Sequence, residues 1–275
     1  MFFTTPTDGA TLAYEDYGTG PAVVFVAGAM LGSDMWEYQL PFFLDRGFRC
    51  VTLDRRGHGR SDRPRGGYDL DTTAEDLAAL LEHLELTDAT LVGHSTGGAE
   101  ITRYLARHGE SRVARVAFVS AILPFLKLTD DNPAGVPEAV LDDMLHRIRT
   151  DRPKWMARQS QLYFAEQFGT EVSPEQADLT YRQCLSTPSW VILKIQEAIF
   201  HSDNREALRA ITVPVLIVHG DADFSAPIEV TGRRTAELVP SADYREYSNA
   251  GHGLYVTHAD RLNNELLDFL KPVVA

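Results

Sequence analysis

The sequence predicts an α/β protein: a mostly parallel, eight-stranded sheet with helices on both faces and a helical segment inserted late in the sheet. Three observations predict it. Eight strand-like runs alternate with helically patterned segments along most of the 275 residues. The alternation lapses only between about residues 122 and 204. At residues 93–97 a strand pattern passes into a helical one through Gly-x-Ser-x-Gly, with Ser95 at its centre.

Taken in order, Phe2 to Thr5 and Thr11 to Tyr17 are strand patterns joined by Pro6-Thr7-Asp8-Gly9, a turn signal that predicts an antiparallel hairpin. Ala22 to Ala27 is a continuous apolar run, as expected of a strand covered on both faces. Met35, Leu40, Phe42, Phe43 and Leu44 suggest one helical segment that stops at Gly47, and Phe48 to Leu53 form the next strand. In the polar turn Asp54 to Ser61, His58 reads as structural. Thr72-Thr73-Ala74-Glu75 has the form of a capping box ahead of Leu77, Leu80, Leu81 and Leu84 at helical spacing. Ala89 to Val92 leads into the Ser95 turn, Ile101, Tyr104 and Leu105 mark the helix beyond it, and Val113 to Ser120 returns as a strand.

Residues 122–204 contain six prolines separated by helical rather than strand patterns. They are expected to form a cap, so that 1–121 and 205–275 are the two parts of one core. Most of the cap's aromatic residues are expected to form its own small core. Phe125, Trp155, Phe164 and Trp190 from the cap, with Met30, Phe224 and Leu254 from the core, are the candidate pocket residues. The sheet resumes at Val213 to Val218. A helix from about Ile228 to Leu238, a strand at Tyr244 to Tyr247 and a closing helix with Leu262, Leu266, Leu267, Phe269 and Leu270 complete the chain.

A net charge of −13 disfavours nucleic acid and anionic membranes as partners. Cys50 sits in an apolar strand pattern and Cys184 in a helical one, and both read as buried thiols, which fits a reducing compartment. With no signal-like start and no long apolar run, a cytoplasmic location is expected.

A serine hydroxyl needs a base within reach, and the base needs an orienting partner. In sheets of this kind such groups lie beyond the carboxyl ends of strands. Asp223 follows one strand end and His252, between two glycines, follows another, in the order serine, acid, histidine. Asp221 is the rival acid, and His201, His219 and His258 are the rival bases. Glycines around Ser95 allow a sharp turn that aims the Thr96 N–H at the oxygen bonded to the attacked carbon. The Ala29 N–H, in the loop after Val26, is the candidate second donor.

These features resemble the α/β-hydrolase superfamily over nearly the whole chain. Within it they resemble the bacterial arylesterase, perhydrolase and cofactor-free haloperoxidase group. The resemblance is carried by Asp34 to Gln39, Leu53 to Asp62, the Ser95 turn, His219 to Asp223, and Gly251 to Gly253 with Val256 to His258. It implies a lid after Ser120, Ser95, Asp223 and His252 as a triad, Ala29 and Thr96 as oxyanion donors, and no cofactor or metal. The expected partner is a small-molecule ester or lactone, and a homo-oligomer is left open. Where such enzymes usually carry His-Gly before the oxyanion residue, often followed by tryptophan, this chain reads Ala27-Gly28-Ala29, which implies a wider pocket. Relatives with strong peracid chemistry tend to have a proline in this loop, and Ala29-Met30 has none, so hydrolysis is expected over perhydrolysis. Lactone or carbon–carbon bond cleavage with the same triad is the alternative chemistry. A ligand receptor on the same fold is the alternative outside enzymes.

Overall fold

The computed structural model describes residues 1–271. The chain opens with β1 (Phe2–Thr4), β2 (Thr11–Tyr17), β3 (Ala22–Val26), α1 (Leu40–Leu44), β4 (Arg49–Leu53) and α2 (Leu70–His83). It continues through β5 (Ala89–His94), α3 (Thr96–His108) and β6 (Val113–Val119). The sheet order is β1-β2-β4-β3-β5-β6, followed by β7 (Val215–Gly220) and β8 (Asp243–Tyr247). The pairs β1·β2 and β2·β4 are antiparallel; every neighbouring pair from β4 to β8 is parallel.

Strand side chains alternate between faces, and this alternation divides the core in two. Val24, Val26, Val51 and Leu91 pack with Leu77 and Leu80 of α2 and Ile101 of α3. Val23, Phe25, Cys50 and Val92 turn the other way, onto Phe43 of α1. That second layer also contains Leu262 and Leu266 of the closing helix, Ala259–Leu270. Both faces are covered, which is why the β3 run is apolar at every position.

Between β6 and β7 the chain adds α4 (Glu138–Phe164), α5 (Pro174–Ser186), α6 (Ser189–His201) and α7 (Arg205–Arg209). α4 is kinked at Asp151, two residues before Pro153, whose ring and missing N–H interrupt the helical ladder. Among the described residues no helix is long and apolar enough to cross a membrane.

Three boundaries differ from expectation. Asp69, not Thr72, caps α2: its carboxylate accepts the Thr72 N–H at 2.9 Å, while Glu75 pairs with Arg107 instead. The segment around Met35 is two short helices, Ser33–Trp36 and α1, because Pro41 restarts the chain at the second position of α1. The helix after β7, α8, is Gly232–Leu238, shorter than the expected 228–238.

Candidate active site

β3 pairs with β4 on one side and β5 on the other, so strand order reverses between β3 and β5, with Val26 opposite Gly93. Ligands of open parallel sheets bind beyond the carboxyl ends at such a reversal. Ser95 stands there, between the last residue of β5 and the first of α3, at φ 55° and ψ −121°. That conformation is costly for a residue with a Cβ. It is held by Ser95 N donating to Val119 O at 3.0 Å and by Gly98 N and Ile122 N, each 3.1 Å from Ser95 O. The flanking glycines serve close approach. A Cβ at Gly93 would lie 2.7 Å from Gly98 N, and one at Gly97 only 2.3 Å from Val26 O.

His252 Nδ1 donates to Asp223 Oδ2 at 2.7 Å, and the other carboxylate oxygen accepts from Ser225 N and Ala226 N at 2.9 and 2.8 Å. Burial alone would raise the Asp223 pKa. The facing His252 and the hydrogen bonds from His219 and His252 outweigh it and hold the carboxyl well below the usual carboxylate range. Asp221 is exposed and accepts the Asn249 N–H at 2.6 Å. His201 is exposed at the end of α6, and His258 contacts Thr257 Oγ1 at 2.9 Å. His219 lies behind Asp223, 3.4 Å from its Oδ2. No hydrogen bond closes between His252 and the Ser95 hydroxyl; the two side chains face one cavity.

Three successive carbonyls after β3 are held by buried side chains. Arg55 Nη2 donates to Ala27 O at 2.6 Å and Nη1 to Gly28 O at 3.0 Å, while its Nε and Nη2 bond the Glu100 carboxylate. His58 Nε2 meets Ala29 O at 2.7 Å. Its Nδ1 lies 3.1 Å from Arg56 O, and burial, then the Arg55 charge, pushes the His58 pKa down to about 4. The Gly28 carbonyl and the Ala29 N–H belong to one peptide unit, so Arg55 fixes the N–H direction by holding the opposite end. Neither the Ala29 nor the Thr96 N–H has an acceptor among the described residues. A Cβ on Gly28 would be 3.3 Å from Ser95 Cβ, which measures how closely this loop backs onto the serine.

The sequence reading missed His94. Its Nε2 donates to His252 O at 3.0 Å, and its Nδ1 is sealed without a partner. Burial, then the neighbouring His252, lowers its pKa to about 3. The N–H at the other end of the same 252–253 peptide donates to Tyr163 O at 2.8 Å. One peptide unit beside His252 is thus held by β5 on one side and α4 on the other.

Gly28, Ala29, Ser95 and His252 border a cavity of about 300 Å³. Met30, Trp155, Phe164 and Phe224 line it. Phe125, Trp190 and Leu254 do not, which corrects the expectation for them. Phe125 packs beneath the Arg205 guanidinium, Trp190 stands 40% exposed against Tyr68, and Leu254 is fully enclosed in the second core layer. The unforeseen lining includes Ile122, Leu126, Val136, Leu141, Met144 and Phe200, together with Met156, Tyr163, Thr180, Tyr181 and Gln196. Helical spacings of three, four and seven, as in Leu141 and Met144, Gln196 and Phe200, or Met156 and Tyr163, were the available signal. Among the described residues no Asp, Glu, Lys or Arg borders the cavity. Among the described residues no cluster of three or more His, Cys, Asp or Glu side chains is placed to hold a metal ion.

A parallel sheet with a strained serine at its switch point defines a hydrolase-type scaffold. The profile of the α/β-hydrolase fold matches residues 21–259, and the chain belongs to that family. It is 37% identical over 269 residues to a non-heme chloroperoxidase of Kitasatospora aureofaciens, covering 97% of this chain and 98% of the relative. It is also 37% identical to a bifunctional esterase/perhydrolase of Acinetobacter calcoaceticus, with 98% and 100% covered. Among solved structures, a bromoperoxidase from Bacillus anthracis superposes with TM-score 0.94 at 35% identity, covering 99% of each chain. An esterase from Exiguobacterium antarcticum does so at 0.93 and 29%, again covering 99% of each.

Proposed function

We propose that the protein is a serine hydrolase that cleaves neutral, largely apolar carboxylic esters through an acyl-enzyme, with residues 122–204 as a cap over the core parts 1–121 and 205–275. The observation that carries this reading is the His252–Asp223 hydrogen bond facing the same uncharged cavity as the strained Ser95. Ser95 attacks the ester carbonyl while His252 Nε2 takes its proton, and Asp223 holds the ring with Nδ1 protonated. The N–H groups of Ala29 and Thr96 stabilise the oxyanion, each worth about 3 kcal/mol in such sites. His252 protonates the leaving alcohol, then activates the water that releases the acid. Bond closure between His252 and Ser95 accompanies substrate binding, as is common for sites seen empty.

The absence of a proline at Ala29-Met30 supports water over peroxide as the acyl acceptor, although one relative is named for both esterase and perhydrolase activity. A lactone is the second reading: an enol-lactonase from Burkholderia xenovorans superposes with TM-score 0.85 at 25% identity. The test is fluorophosphonate labelling and steady-state turnover on p-nitrophenyl esters, lactones and vinylogous diketones, with and without peroxide. Labelling and ester turnover that vanish in Ser95→Ala are expected. Labelling without turnover points to a receptor, and no labelling overturns the reading.

A further inference from the structure

Gln196 borders the cavity on α6, one helical turn before Phe200, and is 8% exposed. Its amide makes no hydrogen bond to any described residue, and neither amide atom is sealed by packing, unlike the enclosed hydroxyl of Thr180. Most of the lining is apolar, as with Leu126, Leu141, Met144 and Phe200, while Gln159, Ser160, Thr180 and Tyr181 add scattered polar groups. An amide that no side chain or backbone group of the protein engages is free to pair with a ligand group that reaches it, which a leucine there could not do.

We propose that Gln196 is a specificity-determining residue that hydrogen-bonds a neutral polar group of the substrate, a ketone, hydroxyl or amide set several bonds from the scissile carbonyl. The substrate class is therefore an ester or lactone with a second uncharged polar function, rather than a plain alkyl ester. A charged second group is disfavoured because no Asp, Glu, Lys or Arg among the described residues borders the cavity to pair with it. The inference rests on the hydrolase reading above and narrows its substrate.

The experiment compares phenyl esters of matched length, each alkyl acyl chain paired with one bearing a ketone, hydroxyl or secondary amide at successive positions from the fourth carbon onward. A second series carries the same groups in the alcohol part. Rates are normalised to alkaline hydrolysis, so that intrinsic reactivity cancels. The full chain is expected to prefer at least one polar member by about tenfold in kcat/KM, the worth of roughly 1.4 kcal/mol. In Gln196→Leu, and separately in Gln196→Met, that ratio is expected to fall to near one, mainly through KM. A wild-type ratio near one at every position, or a preference that survives both substitutions, overturns the proposal. Turnover of the alkyl esters in the same assay keeps this failure distinct from failure of the hydrolase reading, under which no ester is cleaved. Should one variant not fold, the wild-type ratio and the other variant still decide.

Discussion

Asp221 and Asp223 carry the same carboxylate two residues apart, yet only Asp223 reaches an imidazole. Asp221 instead ties down the Asn249 N–H at the surface. Asp223→Asn is therefore expected to lower ester turnover by about 10⁴, as loss of the orienting acid does in serine triads. Asp221→Asn should stay within a few-fold of wild type. Equal losses in the two variants, measured as kcat on one p-nitrophenyl ester, would falsify the assignment of the acid. His94 makes a prediction of another kind. Burial, then His252, lowers its pKa to about 3 from the usual 6.5, and Asp223 and His219 also face it. Between those values the unfolded chain takes up a proton that the folded chain refuses, so stability falls as pH drops through this window. From pH 7 to pH 5 the His94 share of the loss is about 2 kcal/mol. Urea unfolding should show that much less acid sensitivity in His94→Phe than in wild type. The same variant removes the donor to His252 O and is expected to lower kcat about tenfold, roughly the worth of one buried hydrogen bond. His94→Gln, which can restore an N–H, should recover part of that activity. No sequence signal separates this histidine from an ordinary residue between Gly93 and Ser95, because its role depends on a carbonyl 158 positions away.

At the scale of elements, the loop after β3 depends on the turn after β4. Arg55 and His58 hold the Ala27, Gly28 and Ala29 carbonyls, and Glu100 of α3 neutralises Arg55 from within the core. Arg55→Met leaves the Glu100 carboxylate buried and unpaired, expected to destabilise by about 3–5 kcal/mol. Arg55→Met with Glu100→Leu removes both charges and should recover most of that stability, because apolar replacement of a buried pair is near neutral. The double variant should still have lost at least tenfold in kcat with KM little changed, since the loop proposed to bind the oxyanion is no longer held. Recovery of both stability and kcat would show that the pair serves folding alone. The sheet was legible in sequence because strands buried on both faces must be apolar at every position, as in Ala22 to Val26. The glycines at 93 and 97 were legible as a sharp turn, although their purpose is backbone contact and the positive φ falls on Ser95 itself. The start of α2 was misjudged because Asp69 and Thr72 are both capping residues that bond each other. The cavity walls were the least legible part. Trp190 and Phe200 both belong to α6, and only the docking of that helix decides that Phe200 turns inward and Trp190 outward.

In the whole molecule, α4 and the loop carrying His252 meet so closely that their backbones touch. A Cβ at Gly251 would fall 2.5 Å from Tyr163 O, and one at Gly253 would fall 2.6 Å from the Phe164 ring. The sequence suggests that these glycines give His252 a flexible loop. The structure gives them the opposite role: they let the inserted helices press on the loop and fix it, with Gly253 N donating to Tyr163 O at 2.8 Å. Placement of His252 and closure of the cavity therefore share one contact, in which Phe164 is both wall and support. A methyl group at 251 meets backbone, which yields less readily than the end of a side chain, so α4 or the loop must shift by several tenths of an ångström. Gly251→Ala is expected to lower kcat at least tenfold and raise KM as well, because the base and the wall are displaced together. Gly66→Ala, where a Cβ meets nothing within 4 Å, is the matched control and should retain wild-type kinetics. If Gly251→Ala also retains them while remaining folded, α4 and the base are not coupled, and the helices over the sheet act only as a cover.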